Sequence, residues 1–183
     1  MFDRLIDFII QFATIFQFAM VIDSYQEGVL LRFGKFRKVV TSDNGLFKTG
    51  LHLFFPFWVD QILTENVVVE TRRIKPQSLT TKDGKAVVLS SVITFEIEDV
   101  RVFLLEVEGR NAIVEDVSYG AISDFIMKRS WEELTSMENV GNEVAKVVRR
   151  QAKRYGVNIL NIQLSDFTLC ASVRLLQSQS YGE

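Results

Sequence analysis

The chain has 183 residues, 48% of them hydrophobic and 24% charged, with two prolines. That is enough for one ordinary folded domain, or two small ones behind an anchor, and it excludes disorder and proline-rich designs. A net charge of −2, from 21 basic and 23 acidic residues, excludes the basic excess of a dedicated nucleic-acid binder, and one cysteine (Cys170) with one histidine (His52) excludes a disulfide framework and a multi-cysteine zinc site.

The apolar load lies at the front: eleven of the fifteen phenylalanines precede residue 58. From Leu5 to Ile22 only Asp7, Gln11, Thr14 and Gln17 are polar. As a helix this segment is roughly 27 Å long, just short of a hydrocarbon core of about 30 Å. Leu5, Ile6, Phe8, Ile9, Ile10, Phe12, Ile15, Phe16, Phe18, Met20, Val21 and Ile22 make a broad apolar face suited to anchoring in a membrane. The four polar residues fall on one side, a seam for packing against neighbouring copies. Three arrangements fit: a spanning helix, a helix lying in the membrane surface, and a helix buried in a soluble core. The single arginine argues against the surface helix, and the near-complete apolar coverage against the soluble one. No cleavage site follows, so the segment is expected to be retained. Arg32, Lys35, Arg37 and Lys38 beyond it give a slight bias toward a cytoplasmic globule.

Residues 29–40 predict two short strands around Gly34-Lys35, and residues 62–75 are rich in β-branched residues. Between them Leu53, Phe54, Phe55, Phe57 and Trp58 form an aromatic run that suits either a core or a loop dipping into a membrane interface. The clearest strand is Val87 to Ile97, where Val87, Leu89, Ile93, Phe95 and Ile97 share one face, preceded by a tight Asp83-Gly84 hairpin turn. After Asp99 the period becomes helical, with Val114, Val117, Ala121 and Phe125 on one stripe and an end near Ser130. Ser130-Trp131-Glu132-Glu133 has the form of a capping box, and a second helix carries Val140, Val144, Val147 and Val148 before stopping at Tyr155-Gly156. A strand over Ile159–Leu164 and the start of a helix over 170–180 complete an α+β order.

Catalytic patterns fail one by one. Gly28 and Gly34-Lys35 lie one residue too far apart for a phosphate-binding loop, and Phe36 replaces the metal-binding hydroxyl. Nothing joins Cys170 to His52, whose apolar surroundings suit a structural histidine, and no serine stands in a nucleophile elbow. Glu132-Glu133 and the acids at 96–99 read as helix starts and strand ends. The basic run Lys146, Arg149, Arg150, Lys153, Arg154 reads as a solvated helix face or subunit contact, with anionic lipid or nucleic acid the less favoured alternative. No enzyme, cofactor or metal is expected.

Three runs in order carry a resemblance: Tyr25-Gln26-Glu27-Gly28-Val29-Leu30-Leu31-Arg32-Phe33-Gly34-Lys35, then Thr49-Gly50-Leu51-His52 through Pro56 to Asp60, then Thr80-Thr81-Lys82-Asp83-Gly84. With Glu98-Asp99 and the close from Gly156 to Asp166, they resemble the stomatin/prohibitin/flotillin superfamily, also called SPFH or band 7. Thr49 and Val100 replace two prolines usual there. The resemblance implies an N-terminal anchor over 1–24, a β-rich first subdomain over 25–98, an α/β second subdomain over 99–168 and a short helix start over 169–183. It also implies a membrane-associated scaffold assembling laterally into ring-like homo-oligomers, with membrane lipids, other copies and a client such as a membrane-bound AAA protease as partners. Relatives continue into a long coiled coil, so this chain is expected to be a short form. A subunit that caps assemblies of longer relatives, or a peripheral lipid-binding module, is the alternative.

Overall fold

Gly28 is buried in the middle of a strand because a side chain there would collide with the Leu63 carbonyl of the neighbouring strand, and the first sheet is built around that close approach. The computed structural model describes residues 19–46, 50–55 and 59–170. Among these residues the chain forms β1 (Ala19–Val21), β2 (Gln26–Arg32), β3 (Lys35–Thr41), β4 (Leu51–Leu53), β5 (Asp60–Asn66), β6 (Glu70–Thr80), β7 (Ala86–Ile97), α1 (Val100–Leu105), α2 (Arg110–Met127), α3 (Trp131–Ser136), α4 (Val140–Ala152) and β8 (Val157–Leu169). This is the mixed order that the sequence predicts: strands first, then helices and a closing strand.

Antiparallel β3-β2-β5 form the first sheet, and β1 pairs with β4 in a separate ribbon. Alternation along β2 sends Leu30 toward Ile22 and Val40, and Val29 and Leu31 toward Val100 and Leu104 of α1. The first sheet therefore has an apolar cluster on each face. Gly50 fixes the ribbon: at φ 71 it adopts left-handed backbone, its carbonyl accepts the Ile22 N–H at 2.8 Å, and any side chain would strike the Ile22 carbonyl.

Antiparallel β6-β7-β8 form the second sheet. Val87, Leu89, Ile93 and Phe95 of β7 are buried, the last three in one cluster with α2, α4 and β8. Ile74, Leu89, Ile93, Ile122, Ile126, Leu134 and Ile159 are all at most 1% exposed. At about 1.5–3 kcal/mol for each such side chain, this cluster supplies the largest share of the hydrophobic stabilisation. Ile97 touches the clusters of both sheets, and the Arg101 guanidinium of α1 lies 4.9 Å over the Phe36 ring of β3. Those contacts join the halves.

Four expectations change. The apolar helix does not run to Ile22: Ala19–Val21 are extended, Met20 pairs opposite His52, and Ile22 is 1% exposed in the first core, so these residues belong to the globule. Leu5 to Phe18, with the seam Asp7, Gln11, Thr14 and Gln17, lie outside the described residues, as do Phe57, Trp58 and residues 171–183. Second, β6 and β7, grouped by sequence with the first subdomain, hydrogen-bond in one sheet with β8 of the second. Third, the closing strand is longer than Ile159–Leu164, because the twelve residues of β7 offer it a full-length partner; Leu169 is strand, and the Cys170 N–H still bonds to the Ala86 carbonyl at 2.8 Å. Fourth, α2 stops at Met127, short of Ser130.

Candidate membrane-facing site

The apolar segment hands over to the fold at Ala19, which sits opposite Leu53 in the ribbon. Beyond Leu53 burial continues to alternate. His52 and Phe54 turn inward, whereas Leu53 and Phe55 are each 61% exposed. Within the aromatic run Phe54 packs on the Ile22, Leu30 and Val40 cluster, and Phe55 stands in solvent. Val21 shares the outer face of the ribbon with Leu53 and is exposed too.

Arg32 and Asp60 hold Phe55 in place. They are cross-strand partners at the end of β2 and the start of β5, joined in a bidentate pair with Nε to Oδ1 at 2.7 Å and Nη2 to Oδ2 at 2.9 Å. Asp60 Oδ2 also accepts the Phe55 N–H at 3.0 Å, and the Arg32 guanidinium stands 5.0 Å from the Phe55 ring centre. The Arg32 hydrogen bonds hold the Asp60 carboxyl below the usual carboxylate range; the Phe55 N–H and the charges of Arg32 and Arg37 add to this, and burial opposes it. Phe33 lies at the same end: its N–H bonds to the Val59 carbonyl at 2.6 Å, and it is 75% exposed at the β2–β3 turn. Lys35, Arg37 and Lys38 are exposed along β3. Exposed Phe33 and Phe55 therefore share one end of the first sheet with a basic flank on β3, and exposed Leu53 lies opposite Ala19, where the N-terminal segment joins the fold.

Sequence reasoning reached Leu53 and Phe55 but missed Phe33, Arg32 and Asp60. Two residues separate β2 from β3, and they are Phe-Gly where such turns favour Asn-Gly; that mismatch was the available signal. Opposite charges at the two strand ends were the signal for the clamp.

The remaining candidates for chemistry resolve into joints of the fold. His52 is 4% exposed, and its Nε2 lies 2.8 Å from the Thr41 carbonyl. Cys170 is exposed beyond β8, whereas His52 sits in the β1–β4 ribbon. Glu133 and Ser130 form the expected capping box, Asp99 caps α1, and Glu96 accepts from Asn158 at 2.9 Å. Arg149 donates to the carbonyls of Ile159 and Leu160, tying α4 to β8, and Lys146 pairs with Glu143. Asp83 of the hairpin accepts the Trp131 N–H that opens α3, at 3.2 Å, and Lys82 bonds to the Arg129 carbonyl at 2.9 Å. Gly156, at φ 73, receives the N–H groups of Glu98 and Asp99. Among the described residues no cluster of three His, Cys, Asp or Glu could hold a metal, and no helix is long and apolar enough to cross a membrane.

The sequence pattern of the SPFH domain / Band 7 family matches residues 20–179. An uncharacterized protein of Methanothermobacter thermautotrophicus is 22% identical over 150 residues, 81% of this chain and 45% of its own length. Protein HflC of Buchnera aphidicola subsp. Baizongia pistaciae is 34% identical over 82 residues, 43% of this chain and 24% of its own length. The chain spans less than half the length of these curated relatives.

Proposed function

The chain belongs to the SPFH domain / Band 7 family, and on that premise we propose that it is a non-enzymatic, membrane-associated scaffold that self-associates laterally and organises a membrane patch or a membrane-protein client. Members of this family are typically membrane-associated scaffolds. In this reading Leu5 to Phe18 anchor the chain, Asp7, Gln11, Thr14 and Gln17 face neighbouring copies, and the end bearing Leu53 and Phe55 rests on the membrane. The observation that carries it is the entry of the chain at Ala19, opposite exposed Leu53 and two residues from exposed Phe55. An apolar anchor and an apolar surface then meet one bilayer together. The family motif residues act as structural joints, which favours assembly over chemistry: Gly28 and Gly50 allow close backbone approach, His52 and Asp60 bind backbone, Asp83 ties the β6–β7 hairpin to α3, and Gly156 ties the start of β8 to the junction of β7 and α1. Resemblance to prohibitin-like members makes a membrane-bound AAA protease one class of client.

Alkaline carbonate extraction of membranes carrying the full chain tests the anchor. Retention in the pellet is expected. Release into the supernatant would overturn the anchored scaffold in favour of a peripheral lipid-binding module with residues 5–18 lying flat.

A further inference from the structure

Phe33 bears two costs that a turn residue can avoid. Its φ of 49 is left-handed backbone, where a phenylalanine is strained and asparagine or glycine is favoured. It is also the most exposed of the large hydrophobic residues described. The fold asks only for its N–H, which bonds to Val59 and which any residue but proline supplies. Its ring is therefore free for a contact outside the chain.

The charges around it indicate the kind of contact. Lys35 pairs in register with Arg32, and Arg37 occupies the bulge that shifts the β2–β3 register. Asp60, the carboxylate that Arg37 reaches, is already held bidentate by Arg32. Lys35 and Arg37 make no ion pair among the described residues. Exposed Phe33 is thus followed along the hairpin by two cations without an ion pair, while exposed Phe55 stands beside Arg32 at the same end of the sheet. That combination complements a bilayer with anionic headgroups: rings enter the boundary of the acyl chains while lysine and arginine meet phosphates.

We propose that the tip of the β2–β3 hairpin, with Phe55 beside it, docks into an anionic bilayer surface, Phe33 as the inserted residue and Lys35 and Arg37 as the lipid-phosphate contacts. This rests on the membrane-associated reading above and adds to it a second point of attachment and a lipid preference. The strain at Phe33 is then a cost that lipid contact offsets.

The test uses the full chain with Cys170→Ser and one environment-sensitive dye, attached through Phe33→Cys or, as a control, Lys128→Cys. Each protein is bound to vesicles of phosphatidylcholine alone or with phosphatidylglycerol, with and without brominated acyl chains. The dye at position 33 is expected to shift to the blue and be quenched by bromine on the anionic vesicles, while the dye at 128 is not. Lys35→Ser with Arg37→Ser should lower the docked-to-undocked ratio about thirtyfold, because each cation near an anionic surface contributes independently. In unlabelled protein, Phe33→Asn should raise Tm, which separates a lipid-contact role from a folding role. A water-like dye at 33 on protein that floats with the vesicles would overturn this inference and leave the membrane reading standing. Protein that does not float would overturn both. An equal signal on neutral vesicles, or a blue shift without bromine quenching, would also overturn it, the last pointing to a protein contact.

Discussion

Ser91 illustrates how a single atom departs from the rule of its strand. It lies on the buried face of β7 between Leu89 and Ile93, and its Oγ is buried without a hydrogen-bond partner among the described residues. Leaving a hydroxyl unsatisfied costs more than removing it, so Ser91→Ala should stabilise the chain by about 1 kcal/mol, read as a rise in Tm. Asp83 is the opposite case. The Thr81 hydroxyl first, then Lys85 and the Trp131 N–H, hold its carboxyl down to about 2 from an ordinary 3.8, against a smaller push from burial. Its folded pKa is the lower one, so its contribution is complete above the ordinary value and is lost as pH falls through about 2. Thermal unfolding of the wild type should therefore weaken across that acid window, and Asp83→Asn should flatten this part of the profile. An unchanged acid slope in Asp83→Asn would contradict the assignment. Neither residue's role was legible in the sequence. Ser91 falls on the apolar face of β7 by alternation, but whether its hydroxyl finds a partner depends on what packs beside it, and Asp83 looks like an ordinary turn residue until Trp131, 48 positions away, is brought to it.

At the scale of elements, local patterns were readable and distant pairings were not. The β2–β3 and β6–β7 hairpins, the apolar face of β7, the capping box at Ser130 and the stop at Gly156 each depend on neighbours within a few positions, and each is present. The first strand was hidden. Ala19–Val21 continue the apolar segment that precedes them, and only Leu51–Leu53, some thirty residues on, decide that they are extended. The exposure of Phe33 was hidden as well, since Leu30 and Leu31 just before it and Phe36 just after gave it the look of core. Gly50 and Gly156 are the pins of these long-range joints, so alanine at either should cost about 3 kcal/mol or more. At Gly50 a methyl group meets the Ile22 carbonyl, and at Gly156 the Asp99 carbonyl, both in left-handed backbone. Denaturant unfolding of the two variants measures this; a loss below about 1 kcal/mol at both would show that the joints relax easily.

For the whole molecule, the first sheet carries the candidate membrane end and the second sheet with its helices carries the larger core. The two meet through Ile97, α1 and the Arg101–Phe36 contact. Membership of the family was legible because its motif residues are these backbone joints, which tolerate little substitution. The proposed assembly has a weaker signature, because lateral contacts follow from surfaces and anchors, which leave no fixed spacing in one chain. The central claim is that many copies act together on a membrane. Its most direct test is the mass and shape of the detergent-extracted full chain, by light scattering and electron-microscope imaging. A particle of many copies closed into a ring is the predicted result. A monomer or dimer at every concentration and in every detergent would contradict it.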